Sequence, residues 1–398
     1  MAKNFGQQIR DGIYDIFYIF REELTAIFRD SITMTFFLIV PIVYPIIYSV
    51  IYNHEKATEV PVVVIDNSQS ALSRDFIFRV DASPEVKVVA HCPDLPHAQE
   101  WLAKRYAYGI ITIPAEFSTD LGRGDQAHVS LYCDMSNLLF YKAIVLSSTE
   151  VSLQMGAELQ VNKEKRISAR QDEVTTAPVL SEHVTLYNPT GGFASFLLPA
   201  VLILIIQQTL LLCICMLAGT ARERGRFDAF RTMLQRPNGV MRFIIGKSMV
   251  YFVLYLLATA YLVYFIPWAF SFPHIGHPIQ IAFFLLPYLL SCIFFAMTLS
   301  CVVRDRETPM ILFVFTSIIF MFLTGASWPI DAFPPVLKWV AYLLPSTHGV
   351  QGFIKMNSMG ADLGQVAHEL HWLWRLTLGY FTTACVAYWF TIWRIKNV

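Results

Sequence analysis

Six long apolar runs dominate the chain, at about residues 32–52, 193–217, 243–266, 279–303, 309–325 and 372–393. Each is long enough, or nearly so, to cross a bilayer as a helix. Pro41 and Pro45 interrupt the first, which predicts a kink. Residues 7–30 show a different period. Ile9, Ile13, Ile16, Phe17, Phe20, Leu24, Ile27 and Phe28 recur at spacings of three and four, with Arg10, Asp11, Asp15, Arg21, Glu22 and Glu23 between them. That pattern predicts an amphipathic helix lying in the membrane interface. Between 53 and about 189 the apolar runs shorten. Strands are expected at 60–65, 86–90, 108–113 and 127–133, and helices from Ser68 or Ser70 to 80, at 95–106, at 114–121 and from 137 to 170. Such alternation argues for a small α/β domain. Residues 326–356 are too polar and proline-rich for one straight span, and suit a broken, re-entrant pair of short helices. The expected architecture is an α-helical polytopic membrane protein. It has an elbow helix and first span (1–52), an inserted α/β domain with a long return helix (53–192) and five further spans (193–398).

Composition agrees. Hydrophobic residues make up 55% of the 398, charged residues 15%, and mean hydropathy is +0.48, which excludes a soluble domain. The net charge of zero points to no nucleic-acid partner. The distribution of charge says more. Residues 53–193 carry 12 Lys+Arg against 18 Asp+Glu, and the remainder carries the reverse, 18 against 12. The loop at 219–247 holds Arg222, Arg224, Arg226, Arg231, Arg236, Arg242 and Lys247, with Glu223 and Asp228 as its acids. Short basic loops stay cytoplasmic. Both termini are then cytoplasmic, the acidic interval is outside, and Arg304, Arg306, Arg394 and Lys396 fall inside. The first 30 residues lack a continuous apolar stretch and a cleavage site, so the first span is expected to serve as the insertion signal.

Candidate chemistry is sparse. Gly246-Lys247-Ser248 ends like a phosphate loop, but Met241 stands where a glycine is required. His368-Glu369-Leu370-His371 is one residue short of the zinc-protease motif and reads as a solvated polar loop. No nucleophile elbow is present, so no catalytic residue and no metal site is expected. Five cysteines fall in apolar spans. Cys92 and Cys133 lie in the acidic interval as either a disulfide or two thiols. Gln207 and Gln208 sit inside the second span, as interhelical glue or as pathway contacts. Arg375 lies a turn inside the last span, and reads as a snorkelling residue first and a substrate contact second. Phe227, Phe230 and Leu234 recur at helical spacing within the basic loop, which offers an apolar stripe ringed by Arg for a partner to dock on.

Together these features resemble the permease subunit of an ABC-2 type ABC transporter. The order of elbow helix, span, external domain and five spans is similar. Arg222 to Pro237, RERGRFDAFRTMLQRP, followed by Gly246-Lys247, resembles the family's first cytoplasmic loop. Gly225 and Pro237 match, Asp228 stands for the usual Glu, and Arg226 replaces the usual Thr. Trp328-Pro329-Ile330, Pro334-Pro335 and Leu344-Pro345-Ser346-Thr347 resemble the outer re-entrant segment. PSTHGVQGFIKMNSMG, from Pro345 to Gly360, is similar to Gram-negative inner-membrane permeases with a large periplasmic domain, associated with drug or small-molecule export. The resemblance implies that separate cytosolic ATPase subunits, carrying ATP and magnesium, dock on the coupling loop 219–242. The contacts implied are Arg222, Glu223, Arg224, Gly225, Phe227, Asp228, Phe230 and Leu234. It also implies a second permease, identical or similar, and an exported substrate moving past Gln207, Gln208, Pro329 and Pro345. An envelope adaptor linked to an outer-membrane channel would be a further partner, and the chain itself would bind no cofactor. The competing reading is a membrane-anchored sensor or assembly factor whose external domain binds a ligand.

Overall fold

The apolar runs form helices and the acidic interval forms a sheet domain. In the computed structural model, residues 5–52, 56–163, 186–188, 191–225 and 238–396 are described. The chain divides into two units, one of Met1–Asn53 with Leu186–Val398, the other of His54–Thr185.

The smaller unit runs β1 (Val60–Asp66), α3 (Ala71–Asp81), β2 (Val86–His91), α4 (Leu95–Ala103), β3 (Gly109–Ile113), α5 (Phe117–Arg123), β4 (Ser130–Cys133) and α6 (Leu138–Lys163). Strand order is β2-β1-β3-β4. β1 lies parallel to β2 and β3, and β4 closes the edge antiparallel to β3. β1 is continuously apolar because both its faces are covered. Val62 and Val64 pack with Phe76 and Val80 of α3 and Ile144 and Val151 of α6, while Val63 and Ile65 pack with Ala98 and Trp101 of α4. Ser70 caps α3 in a reciprocal capping box with Ser73. The helices α4 and α5 and strand β4 are shorter than their apolar runs suggested. Cys92 and Cys133 are both free thiols. They pack into clusters on opposite faces of the sheet, so no disulfide joins them.

The larger unit opens with α1 (Phe5–Arg29) and α2 (Ser31–Tyr52). It continues with α7 (Phe193–Glu223), α8 (Gly239–Ala269) and α9 (Pro278–Ser300). Then come α10 (Thr308–Leu323), a short 3-10 turn (Ile330–Ala332), α11 (Pro335–Leu343), α12 (Pro345–Met359) and α13 (Ala367–Lys396). Six spans were expected. Among the described residues four helices, α2, α7, α8 and α9, are long and apolar enough to cross a membrane. α10 has only 16 residues, and Thr, Tyr and Trp dilute the apolar character of α13. α7 is the axis of the unit, packed against α2, α9, α10 and α12. It is apolar around its whole circumference, as a helix buried on every side requires.

The kink expected at Pro41 takes a specific form. Residues Thr35–Ile39 make one π-helical turn, and Val40 donates its N–H five residues back to Thr35. Pro41 has no N–H to continue the α ladder, so the wide turn absorbs the break. α8 repeats the device: Tyr261–Phe265 is π-helical and Ile266 donates to Tyr261, just before Pro267.

The segment after α10 does fold as two short helices, and α12 is buried along most of its length. Gly349 and Gly352 let it press onto α9. A Cβ at 349 would lie 2.4 Å from the Tyr288 ring, and one at 352 would lie 2.2 Å from the Phe284 ring. Its first half is bonded across helices. Gln207 of α7 accepts the Ser346 N–H through Oε1 at 2.6 Å. Thr347 Oγ1 donates to the Leu323 carbonyl at 3.1 Å, and Gln351 Nε2 to the Thr324 carbonyl at 2.9 Å. Orphan groups at two helix ends are thereby satisfied in a dry interior. Gln207→Leu is expected to cost about 1–3 kcal/mol, because the Ser346 N–H is left buried without an acceptor. Thermal unfolding in detergent reads it directly.

The HELH stretch is not the solvated loop expected from sequence. It forms the first turns of α13, and Glu369 is buried and paired with Lys355 Nζ at 2.6 Å. The Arg375 guanidinium stacks over Trp372 at 5.3 Å.

Candidate functional site

The basic end of the larger unit is an ionic frame built around α1. The apolar period of this helix predicts that its charged residues face water. Instead the inward stripe is Gly12, Asp15, Ile19, Glu23 and Ile27, while Ile13, Phe17 and Phe28 are exposed. Asp15 and Glu23 are buried because α8 supplies cations opposite them. Arg242 Nη1 lies 3.2 Å from Asp15 Oδ2, and Lys247 Nζ lies 3.0 Å from Glu23 Oε1. Tyr251 donates its hydroxyl to the same Glu23 oxygen, and Lys247 also sits 5.0 Å from the centre of the Phe243 ring. Gly246 makes the approach possible: a Cβ there would meet Ile19 Cβ at 2.9 Å and the Ile16 carbonyl oxygen at 3.0 Å. The Gly-Lys pair that mimics a phosphate loop is therefore a helix-docking pair. Glu23 was missed as a partner in the sequence, although Asp15, Ile19, Glu23 and Ile27 recur every four residues along one stripe.

Asp30, just after α1, extends the frame to the loop at 301–307. Arg306 Nη2 donates to Asp30 Oδ1 at 2.5 Å, and Thr33 Oγ1 donates to Oδ2 at 2.7 Å. Burial alone would raise the Asp30 carboxyl, but the Thr33 hydroxyl and the Arg306 guanidinium outweigh it and hold it below its ordinary value. A lowered carboxyl contributes stability above the unfolded value of about 3.9 and loses it as pH falls through the folded one. Asp30→Asn is therefore expected to cost the same at pH 6 as at pH 8, by thermal unfolding.

The end of α7 joins the same frame. Arg222 Nη2 donates to the Cys301 carbonyl at 2.9 Å, and Glu223 Oε1 accepts the Arg306 N–H at 2.9 Å. Gly219 lies against the loop so closely that a Cβ would fall 2.4 Å from the Asp305 carbonyl oxygen. Arg224 lines a small pocket of about 40 Å³ with Glu22, Glu23, Asp30 and Lys247. Gly225 follows the helix at φ 62°. Phe227, Asp228, Phe230 and Leu234, with their expected amphipathic turn, lie outside the described residues.

Further along α7 lies a cavity of about 550 Å³ between α2, α7 and α10. Tyr44, Tyr48 and Tyr52 of α2 form a rail along one wall. Ring centres are 4.7 Å and 5.9 Å apart, and Phe193 continues the rail at 5.4 Å from Tyr52. Gln208 and Ser317 are among the polar lining residues, and among the described residues no Asp, Glu, Lys, Arg or His lines the space. Of the four residues singled out as pathway contacts, Gln208 faces this cavity, whereas Gln207 holds α12. Pro345 is buried at the start of α12, and Pro329 is exposed after α10.

None of the curated proteins compared with the chain matches it. The family model described as "ABC-2 family transporter protein" matches residues 32–386, which takes in the smaller unit, most of the larger one and every residue that lines the cavity. With a helical membrane unit organised around α7 and that match over most of its length, this multi-pass membrane chain belongs to the ABC-2 family transporter proteins.

Proposed function

We propose that the chain is the permease of an ATP-driven exporter in a bacterial inner membrane, moving a small or hydrophobic molecule outward. The observation that carries this reading is the continuity of α7. One helix runs from the cavity wall at Gln208 to the basic end at Arg222 and Glu223. Cytosolic ATPase subunits bearing ATP and magnesium dock on the loop 219–242, and their closure pushes α7 and α1 as one body. The frame supports this: Asp15 and Glu23 tie α1 to α8, and Arg306, paired with Asp30, also donates its N–H to Glu223 at the end of α7, and buried ion pairs resist separation. Such a push shifts the cavity only if its two shapes differ in contacts with the substrate.

In this reading α10 and α13 also cross the bilayer, both termini are cytoplasmic, and the 54–185 unit is periplasmic, where an adaptor would bind. α11 lies in the outer leaflet, consistent with exposed Trp339 and Val336. A second permease completes the pathway. Phe230→Asp is expected to abolish export driven by the ATPase while membrane insertion continues. Export at the parental rate in that variant sinks the docking role.

A further inference from the structure

We propose that the cavity between α2, α7 and α10 binds an uncharged aromatic amphiphile of aryl-ketone or quinone type, through the Gln208 amide and the Tyr48 hydroxyl. The inference rests on the reading of this cavity as the export pathway, and names what the pathway accepts.

Size sets the first bound. A space of about 550 Å³ is that of a drug-sized ligand. Charge sets the second. Among the described residues no Asp, Glu, Lys, Arg or His lines it, so a carboxylate, phosphate or ammonium entering from water would lose its hydration without gaining a charged partner. Shape sets the third. The tyrosine rail and Phe193 supply successive rings at offset spacing, against which a flat ring system packs better than a flexible chain.

The hydrogen bonds then decide the polarity of the ligand. Thr209 and Ser317 already donate their hydroxyls to the backbone of their own helices. Tyr44 donates to Tyr48 at 3.1 Å, which commits the Tyr44 proton. Gln208 Nε2 is shielded from solvent and has no acceptor among the described residues. The Tyr48 O–H likewise has no acceptor there. With the Tyr52 and Ser327 hydroxyls, which also line the cavity, the site therefore offers the Gln208 amide and several hydroxyls as donors. A ligand with carbonyl or ether oxygens on an aromatic body satisfies them, and a hydrocarbon tail leaves the amide orphaned.

The probe is benzophenone, a neutral aryl ketone that crosslinks on illumination. The full chain is reconstituted with its ATPase in lipid nanodiscs, and adducts are mapped by peptide mass spectrometry. Adducts are expected on α2 and α7, reduced about fivefold by Gln208→Leu and by Tyr48→Phe. Benzophenone-4-carboxylate is expected to label those peptides about tenfold less. Tyr48→Phe removes one hydroxyl and leaves the ring, so it keeps the test open should Gln208→Leu misfold. Equal labelling by the carboxylate overturns the proposal. So does labelling that ignores both substitutions and spreads over exposed α10 residues such as Ile311 and Phe315, the mark of bilayer partitioning. ATP with vanadate separates the two levels: expected labelling that is unchanged by trapping keeps the ligand class and removes the pathway reading.

Discussion

Lys247→Met is expected to destabilise the protein by about 3–5 kcal/mol, because it strands the Glu23 carboxylate in a dry contact. The two side chains are 5% and 6% exposed, so water cannot take over from the lost ammonium. Tyr251 would remain as a donor to Glu23, but a neutral hydroxyl does not balance a buried charge. The double variant Glu23→Gln with Lys247→Met is expected to recover most of the loss, since it removes both charges together. Thermal unfolding of the four proteins of this cycle gives the coupling directly. An exposed pair would behave otherwise, with a cost below about 1 kcal/mol that fades with added salt. A Lys247→Met loss of that small, salt-sensitive kind would falsify the buried frame.

Gly219→Val is expected to have the second largest effect, and to act on function more than on folding. The added atoms collide with the Asp305 carbonyl, 2.4 Å from the ideal Cβ, and a backbone atom cannot rotate aside. The loop at 301–307 must move off α7, which breaks the contacts of Arg222 with Cys301 and of Glu223 with Arg306. Overpacking of this kind costs about 1–3 kcal/mol. Export should fall to background while the ATPase still co-purifies, because the apolar docking residues Phe227, Phe230 and Leu234 are unchanged. Coupled export measured beside co-purification separates these effects. Retained export would mean that the loop does not need its seat on α7.

Much of the architecture is legible in the sequence because hydrophobic period is a local property. The runs at 193–217 and 279–303 read as helices without tertiary knowledge, and β1 announces itself through Val60 to Ile65. Ser70 as a helix cap is equally local. The candidate site is less legible, because its residues act through partners far along the chain. Glu23 and Lys247 are 224 positions apart, and Glu23 alone looks like one more charge on an amphipathic helix. Hydrophobicity scales place such a residue in water, and only the cation opposite reverses that. Gln207 and Gln208 make the point most sharply. They are adjacent and chemically identical, yet the 100° turn between them gives one a capping contact and the other the cavity. The HELH stretch misled for the same reason, since Lys355, which buries Glu369, lies in another helix.

The π turn in α2 makes the aromatic rail tolerant of a shorter chain at one place and intolerant of it just beyond. A wide turn accommodates one residue more than an α-helical turn would. Deleting a single residue within Thr35–Ile39 restores the α ladder and leaves Tyr44, Tyr48 and Tyr52 on the cavity face. Deleting Ile42 or Val43 instead has no wide turn to absorb it, and rotates all that follows by about 100°. The tyrosines would then swing off the cavity together. On the proposed reading, a homologue one residue shorter at the π turn keeps its specificity, and one shorter just after it changes specificity even where the tyrosines are kept.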